Sequence, residues 1–161
     1  MKKRKLKKED ILSDRMGIEC LIFDFDGTLA ETEEAHRNAF NKAFHLNRLN
    51  WNWDQHIYKK LLQVAGGKER IEFYNKSFLS HSKQISRKDI EDIHFQKTKF
   101  YAQAVSQGFV QLRPGIRKFL ERAKYNKKKL AISTSTGRDN VILLLRSCLN
   151  ENPEDIFSFI S

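Results

Sequence analysis

Cys20-Leu-Ile-Phe23 is an uninterrupted apolar run, and it ends abruptly in Asp24-Phe-Asp-Gly-Thr28. A short run with no polar alternation fits a strand buried on both faces, as in a parallel sheet. The acids that follow then lie at the carboxyl end of that strand, where open α/β sheets take their ligands. Gly27 supplies the backbone freedom that a tight exit from strand to helix requires. The competing reading is an ordinary Asp- and Gly-rich surface turn. That reading is weakened by the apolar strand before the turn and the helical pattern after it.

From Thr32 onward the period changes. Ala35, Ala39, Phe40, Ala43 and Phe44 recur at three- and four-residue spacing, which predicts an amphipathic helix capped by Thr32, with Glu33 and Glu34 in its first turn. A second helix is expected over 54–64 and stops at Gly66-Gly67; a third is expected over 68–78. Ser86-Arg-Lys-Asp89 has the form of a capping box and opens a fourth, through Ile90, Ile93 and Phe100 to Val105. Arg113-Pro-Gly115 breaks the pattern. A short helix around Ile116, Phe119, Leu120 and Ala123 follows, then a second strand over 127–133, an exit loop at 134–137, a helix over 139–149 and a third strand over 155–160. The layout is therefore an α/β domain interrupted after its first strand by helices alone. The expected divisions are a basic disordered tail at 1–16, a core from 17–30 and 111–161, and a helical insert at 31–110.

Composition narrows what such a chain can do. Forty percent of its 161 residues are apolar, enough for one compact domain or one with a small insert, and no stretch approaches the roughly 20 apolar residues a membrane helix needs. No apolar run follows the basic N-terminus, so no secretory signal is expected. The net charge is +10, of which Met1–Asp10 contributes +4. That tail could contact nucleic acid or an anionic surface, but no aromatics interleave it and no nucleic-acid motif follows, so a solvated arm without a nucleic-acid partner is expected. Cys20 and Cys148 have no metal-ligand spacing and read as two buried free thiols in a reducing interior, either cytoplasm or plastid stroma.

Two carboxylates two residues apart point to phosphoryl chemistry. One can attack phosphorus and form an aspartyl-phosphate. Its charge repels the phosphate, so a hard divalent cation is required, and carboxylate oxygens suit Mg2+. The second acid can protonate the leaving oxygen and then deprotonate water. The Ser/Thr-rich loop after the second strand leads into a helix N-terminus, a fitting place for a phosphate, though by itself it reads equally as a capping turn. Gly66-Gly67-Lys68 with Arg70 could bring backbone amides and cations to a second anion, or could be a glycine helix stop before a solvated basic face.

Asp24-Phe-Asp-Gly-Thr-Leu-Ala-Glu-Thr32 resembles the first motif of the haloacid dehalogenase superfamily. His36-Arg-Asn-Ala-Phe-Asn41, Leu61-Leu-Gln-Val-Ala-Gly-Gly-Lys-Glu-Arg70, Leu112-Arg-Pro-Gly115 and Leu130-Ala-Ile-Ser-Thr-Ser-Thr136 resemble the CbbY-like sugar bisphosphate phosphatases, whose preferred substrate is a pentulose bisphosphate, xylulose-1,5-bisphosphate. The resemblance runs from about residue 18 to residue 160. It implies a Rossmannoid parallel sheet with an all-helical cap inserted after the first strand, Mg2+ as cofactor and a small phosphorylated sugar as substrate. It implies Asp24 as nucleophile and Asp26 as general acid/base, with both at the metal. It makes Thr134, with Ser135 beside it, the holder of the transferring phosphate. Gly66, Gly67, Lys68 and Arg70 become the cap's substrate loop, and Glu31 and His36 fall where relatives touch substrate or hinge. Ala65 stands where the family commonly has Thr. A histidine on a helix surface is otherwise simply exposed.

The superfamily also uses a later Lys and a later acid or acid pair. Neither follows Thr134 in a suitable place, so a C-terminally truncated site, inactive or weakened by orders of magnitude, is expected. The first strand is then expected as an exposed apolar edge. Two other readings stay open: a non-catalytic remnant that binds or regulates, and a β-phosphoglucomutase-like phosphomutase, against which the Gly-Gly-Lys-Glu-Arg block speaks.

Overall fold

A computed structural model describes residues 17–149 and 151–161. The expectation for the basic tail at 1–16 lies outside the described residues. The chain divides into two compact units, one of residues up to 31 together with 111–161, the other of residues 32–110.

The first unit is built on a three-stranded parallel sheet: β1 (Cys20–Phe23), β2 (Lys129–Ile132) and β3 (Phe159–Ile160), in spatial order β1-β2-β3. Leu21 stands opposite Leu130, Phe23 opposite Ile132, and Ile132 opposite Ile160. The β1–β2 ladder continues past the strand ends, with Ser133 N–H donating to the Phe23 carbonyl at 2.9 Å. The chain segments that leave β1 and β2 therefore start side by side.

Side-chain alternation splits β1 into two faces. Phe23 turns toward the helix at Ile116–Tyr125, meeting the Phe119 ring edge-on at 6.0 Å. Cys20 and Ile22 face the other way, and Ile22 is 70% exposed. The strand expected to be buried on both faces is thus covered on one, the face that Phe23 turns to Phe119, and β1 is also an edge strand among the described residues. Cys20 is accordingly exposed and Cys148 alone is buried, which corrects the expectation of two buried thiols. The third strand is also shorter than expected. Pro153–Ile156 is a helical turn with Pro153 at its start, and only Phe159 and Ile160 pair with β2.

The second unit's regular elements are all helical. In chain order they are α1 (Glu33–Leu46), α2 (Gln55–Leu61), α3 (Gly67–Ser77) and α4 (Arg87–Ser106), with a short 3-10 turn at His81–Lys83. The first unit adds α5 (Ile116–Tyr125), α6 (Arg138–Cys148) and α7 (Pro153–Ile156). Local chemistry sets the helix starts. Asp54 accepts from the Ile57 N–H at 2.7 Å, and Ser86 and Asp89 complete both halves of a capping box. Thr32 occupies the cap position of α1 without a capping bond from its side chain.

An aromatic core holds these helices together. Trp53 is fully buried, with Phe40 at 4.7 Å, Phe44 at 4.8 Å and Tyr74 at 5.4 Å between ring centroids. The connection before α2 is pinned through its backbone. Asn41 accepts from the Trp53 N–H at 2.8 Å, and its amide, with Arg37, donates to the Trp53 carbonyl. Those polar groups would otherwise be buried without partners. α1 lies along α4, and α3 also packs on α4.

Candidate active site

The backbone turns immediately after β1. Gly27 takes φ +69°, a left-handed conformation, and its N–H donates to the Ala30 carbonyl at 2.8 Å while Leu29 N–H donates to the Phe25 carbonyl at 2.9 Å. Phe25, Leu29 and Ala30 are fully buried and anchor the turn from within. Asp24 is exposed and Asp26 half-buried. Each carboxylate has a threonine hydroxyl. Thr28 donates to Asp24 Oδ2 at 3.1 Å, inside the turn. Thr136 donates to Asp26 Oδ2, across 110 residues of sequence.

The Thr136 bond joins the two loops at the carboxyl ends of β1 and β2. In the second loop the Thr136 N–H donates to Thr134 Oγ at 3.2 Å, and Ser135 is exposed. Asp24, Asp26, Thr134 and Ser135 therefore belong to one end of one sheet. Glu31 lies at the end of the same turn, exposed, with its carboxylate 2.9 Å from Arg113 Nε. Arg113 also donates to the Gly27 carbonyl, and its backbone N–H donates to the Leu29 carbonyl at 2.9 Å. The segment that follows the acids is thus fastened by the residue just beyond the helical unit.

His36, Gly66, Gly67, Lys68 and Arg70 belong to the helical unit. Gly66 has φ +87° and caps α3, whose first residues are Gly67 and Lys68; Lys68 is exposed. A β-carbon on Gly67 would fall 2.5 Å from His94 Nε2, so the glycine admits the imidazole against the helix start. Burial, then the nearby Lys97 and Lys68, push the His94 pKa down from 6.5 to about 4. The ring is neutral at pH 7.

Two of these candidates differ from their sequence reading. His36 is 8% exposed rather than a surface residue, stacked on Tyr101 at 4.0 Å with Nδ1 2.9 Å from Lys97 Nζ. Arg70 points back into its own unit. Nε donates to the Leu61 carbonyl and one terminal nitrogen to the Val64 carbonyl, both at 3.0 Å, and the other reaches the Tyr58 hydroxyl at 3.3 Å. Two of its five N–H groups thus meet the carbonyls of Leu61, at the C-terminal end of α2, and of Val64 just beyond it, and a third meets the Tyr58 hydroxyl. Lys68 is the exposed cation of that loop.

The sequence reading passed over Thr136 as a partner of Asp26, Arg113, His94 and Lys97. A signal existed for Lys97 and His94, which sit three residues apart on the same helix as the buried Ile93 and Tyr101. None existed for the pairing of Asp26 with Thr136, which only the strand register creates.

The donors beside the turn are carboxylate and backbone oxygens. Among the described residues no group of three or more His, Cys, Asp or Glu side chains could hold a metal. An all-oxygen set of carboxylate and main-chain oxygens suits Mg2+, which takes one or two protein carboxylates and completes its shell with water and phosphate oxygens. Among the described residues no helix is long and apolar enough to cross a membrane.

The family model described as haloacid dehalogenase-like hydrolase matches residues 21–160. Protein CbbY of Rhodobacter capsulatus is 41% identical over 146 residues, covering 91% of this chain and 63% of that protein. CbbY of Cereibacter sphaeroides is 42% identical over 145 residues, 89% of this chain and 61% of that one. The crystal structure of CbbY from Rhodobacter sphaeroides in complex with xylulose-1,5-bisphosphate superposes with a TM-score of 0.80 at 39% identity, covering 89% of this chain and 62% of the other. The chain spans a little over three-fifths of the length of these relatives. With its parallel sheet, its acid pair at the end of β1 and a match over nearly its whole described length, the chain belongs to the haloacid dehalogenase-like hydrolases.

Proposed function

We propose that this chain carries the nucleophile half of a Mg2+-dependent phosphatase acting on a small sugar bisphosphate. The reading rests on one observation above all: Asp26, at the carboxyl end of β1, accepts a hydrogen bond from Thr136 in the hydroxyl loop after β2. That bond supports reading the acid pair and the hydroxyl loop as parts of one site.

In this reading an Asp24 carboxylate oxygen attacks phosphorus, and the bond between phosphorus and the sugar oxygen breaks. The protonated Asp26 gives its proton to that leaving oxygen. The same carboxylate then takes a proton from water, whose oxygen attacks the phosphoryl-Asp24, releasing inorganic phosphate and restoring the Asp24 carboxylate. Thr134 and Ser135, with the amides of their loop, hold the transferring phosphate. Mg2+, when held by the Asp24 carboxylate and the Asp26 main chain, supplies positive charge that lets a carboxylate approach a phosphate. The bisphosphate class is supported by the resemblance to CbbY, whose structure was solved in complex with xylulose-1,5-bisphosphate. Arg70 is better read as a brace of this loop than as a phosphate ligand.

The test is phosphate release by the purified chain with Mg2+ and a panel of sugar bisphosphates, against sugar monophosphates. Turnover that Asp24→Asn abolishes supports the reading. Turnover indifferent to that substitution rejects Asp24 as nucleophile.

A further inference from the structure

The net charge of this chain is concentrated in two segments. Residues 117–129 carry seven cations against Glu121 alone, a net +6, and Met1–Asp10 carries +4. These account for the whole +10, so the other residues sum to zero. The fold sets the first of these segments beside the root of the second. α5 ends at Tyr125, and the turn after it leads into β2 at Lys129. Lys129 N–H donates to the Glu19 carbonyl at 2.9 Å, and Lys129 stands opposite Cys20, so the turn lies where the chain enters β1. The strands are parallel and the acid turn follows β1, so this is the end of the sheet remote from Asp24 and Asp26. Hydrogen bonds close the turn: the N–H groups of Asn126, Lys127 and Lys128 donate to the carbonyls of Arg122, Lys124 and Ala123 at 3.0, 2.9 and 3.0 Å. Lys127 takes φ +54°, a conformation glycine would hold at lower cost, yet the position carries a cation. Arg122, Lys127 and Lys129 are exposed and, among the described residues, no acid pairs with them, whereas Lys124 reaches Glu151. Glu19 and Glu121 are the exposed acids beside them. Tyr125 stands among these cations and is 87% exposed.

We propose that the end of α5 and the turn into β2 form a binding surface for single-stranded nucleic acid, with Arg122, Lys127 and Lys129 on its phosphates and Tyr125 stacked on a base. Cations strung along a stretch of chain suit a ligand whose charge repeats along its length. An exposed ring among them suits an unpaired base, because every base has a stacking face. The sequence reading expected no nucleic-acid partner, since no aromatic lies among the cations of the tail; the turn beside the tail's root supplies one. An anionic membrane is the poorer match. Insertion needs a broad apolar face, and Tyr125 is the one exposed large apolar side chain over 117–129. The proposal is independent of the phosphatase reading, whose residues lie at the opposite end of the sheet.

The test is fluorescence anisotropy of a labelled oligouridylate of about 20 nucleotides, titrated with the purified chain in KCl from about 50 to about 300 mM. Three variants are compared with the wild type: Arg122→Gln, Lys127→Gln and Lys129→Gln combined, Tyr125→Ala, and Tyr125→Phe. All four side chains are exposed, so each variant should fold. The wild-type chain is expected to bind with a Kd of about micromolar order at the lowest salt, weakening steeply as salt rises. The triple variant should lower the slope of log affinity on log salt by about two, at roughly 0.7 for each phosphate contact. Tyr125→Ala should weaken binding about tenfold with the slope unchanged, while Tyr125→Phe, which keeps the ring, binds as the wild type does. Heparin, a polyanion without bases, should bind Tyr125→Ala and wild type within about twofold of each other. Removing residues 1–10 should lower the salt slope and leave the Tyr125→Ala effect in place. The proposal is overturned by no saturation at about 100 µM protein in about 50 mM KCl, or by an unchanged slope in the triple variant. It is equally overturned if Tyr125→Ala binds the oligonucleotide as tightly as wild type, or if vesicles with about 30% anionic lipid bind more tightly than the oligonucleotide.

Discussion

Replacing Arg70 by Met separates a brace from a ligand. The methionine keeps most of the apolar stem and deletes the guanidinium. Two half-buried bonds of 3.0 Å to the carbonyls of Leu61 and Val64 are lost, with a longer one to the Tyr58 hydroxyl and a cation–π contact at 5.5 Å from the Tyr58 ring. Taking about 1 kcal/mol for each carbonyl bond and about 0.5 for each of the weaker contacts gives a loss of about 3 kcal/mol. With a urea slope of roughly 1.5–2 kcal/mol per molar, the unfolding midpoint should fall by about 1.5–2 M. Arg70→Lys keeps the charge but only one of the three directed bonds, so it should recover no more than about a third of the loss. The assay is urea unfolding followed by tryptophan fluorescence, since Trp51 and Trp53 pack in the core that α2 and α3 share. A midpoint within about 0.3 M of wild type, together with a tenfold weaker affinity for a sugar bisphosphate, would refute the brace and return Arg70 to the substrate.

Two further outcomes follow from single side chains. His94 has its pKa pushed down to about 4, chiefly by burial, so between pH 4 and 6.5 the unfolded chain binds this proton and the folded chain does not. Its contribution to stability is full above pH 6.5 and is lost as pH falls toward 4; with the ring partly exposed, solvent screening holds this to about 1–2 kcal/mol. His94→Gln should therefore flatten the fall of the urea midpoint between pH 7 and 4.5, and an unchanged slope would show the ring titrating normally. Cys20 is exposed and Cys148 buried, so a thiol reagent should label one cysteine quickly in the folded chain and the second only in denaturant; two fast thiols would contradict the packing of α6.

Much of the fold is legible because its signals are local. Ser86 and Asp89 lie three apart, as a capping box requires, and Asp54 precedes its helix by one residue; each bond spans a single turn. The acid pair announces itself in the same way, since five consecutive residues carry both the chemistry and the turn. The misread elements each turn on a competing signal. Ile156-Phe-Ser-Phe-Ile160 has strand composition, but Pro153 with Glu154 and Asp155 is a helix start, and it claims the first of those residues. His36 lies four residues before Phe40, on the apolar stripe of α1, so its burial was readable from period alone; its polarity argued the other way. Arg70 has the composition of a phosphate ligand, and nothing in its type says that its protons turn back to the carbonyls of Leu61 and Val64.

Alone, the amino-acid order determined where helices begin, which stretches are apolar enough to pair as parallel strands, and that two aspartates stand at the mouth of the first. These follow from dihedral preferences and hydrogen bonds that close within a few residues. Tertiary structure decided which face of β1 is covered, which arginine braces and which lysine faces solvent, and which threonine serves Asp26. Those outcomes depend on strand register and helix packing, which bring together residues from 6 to 110 positions apart, and no local preference encodes which of those groups meet.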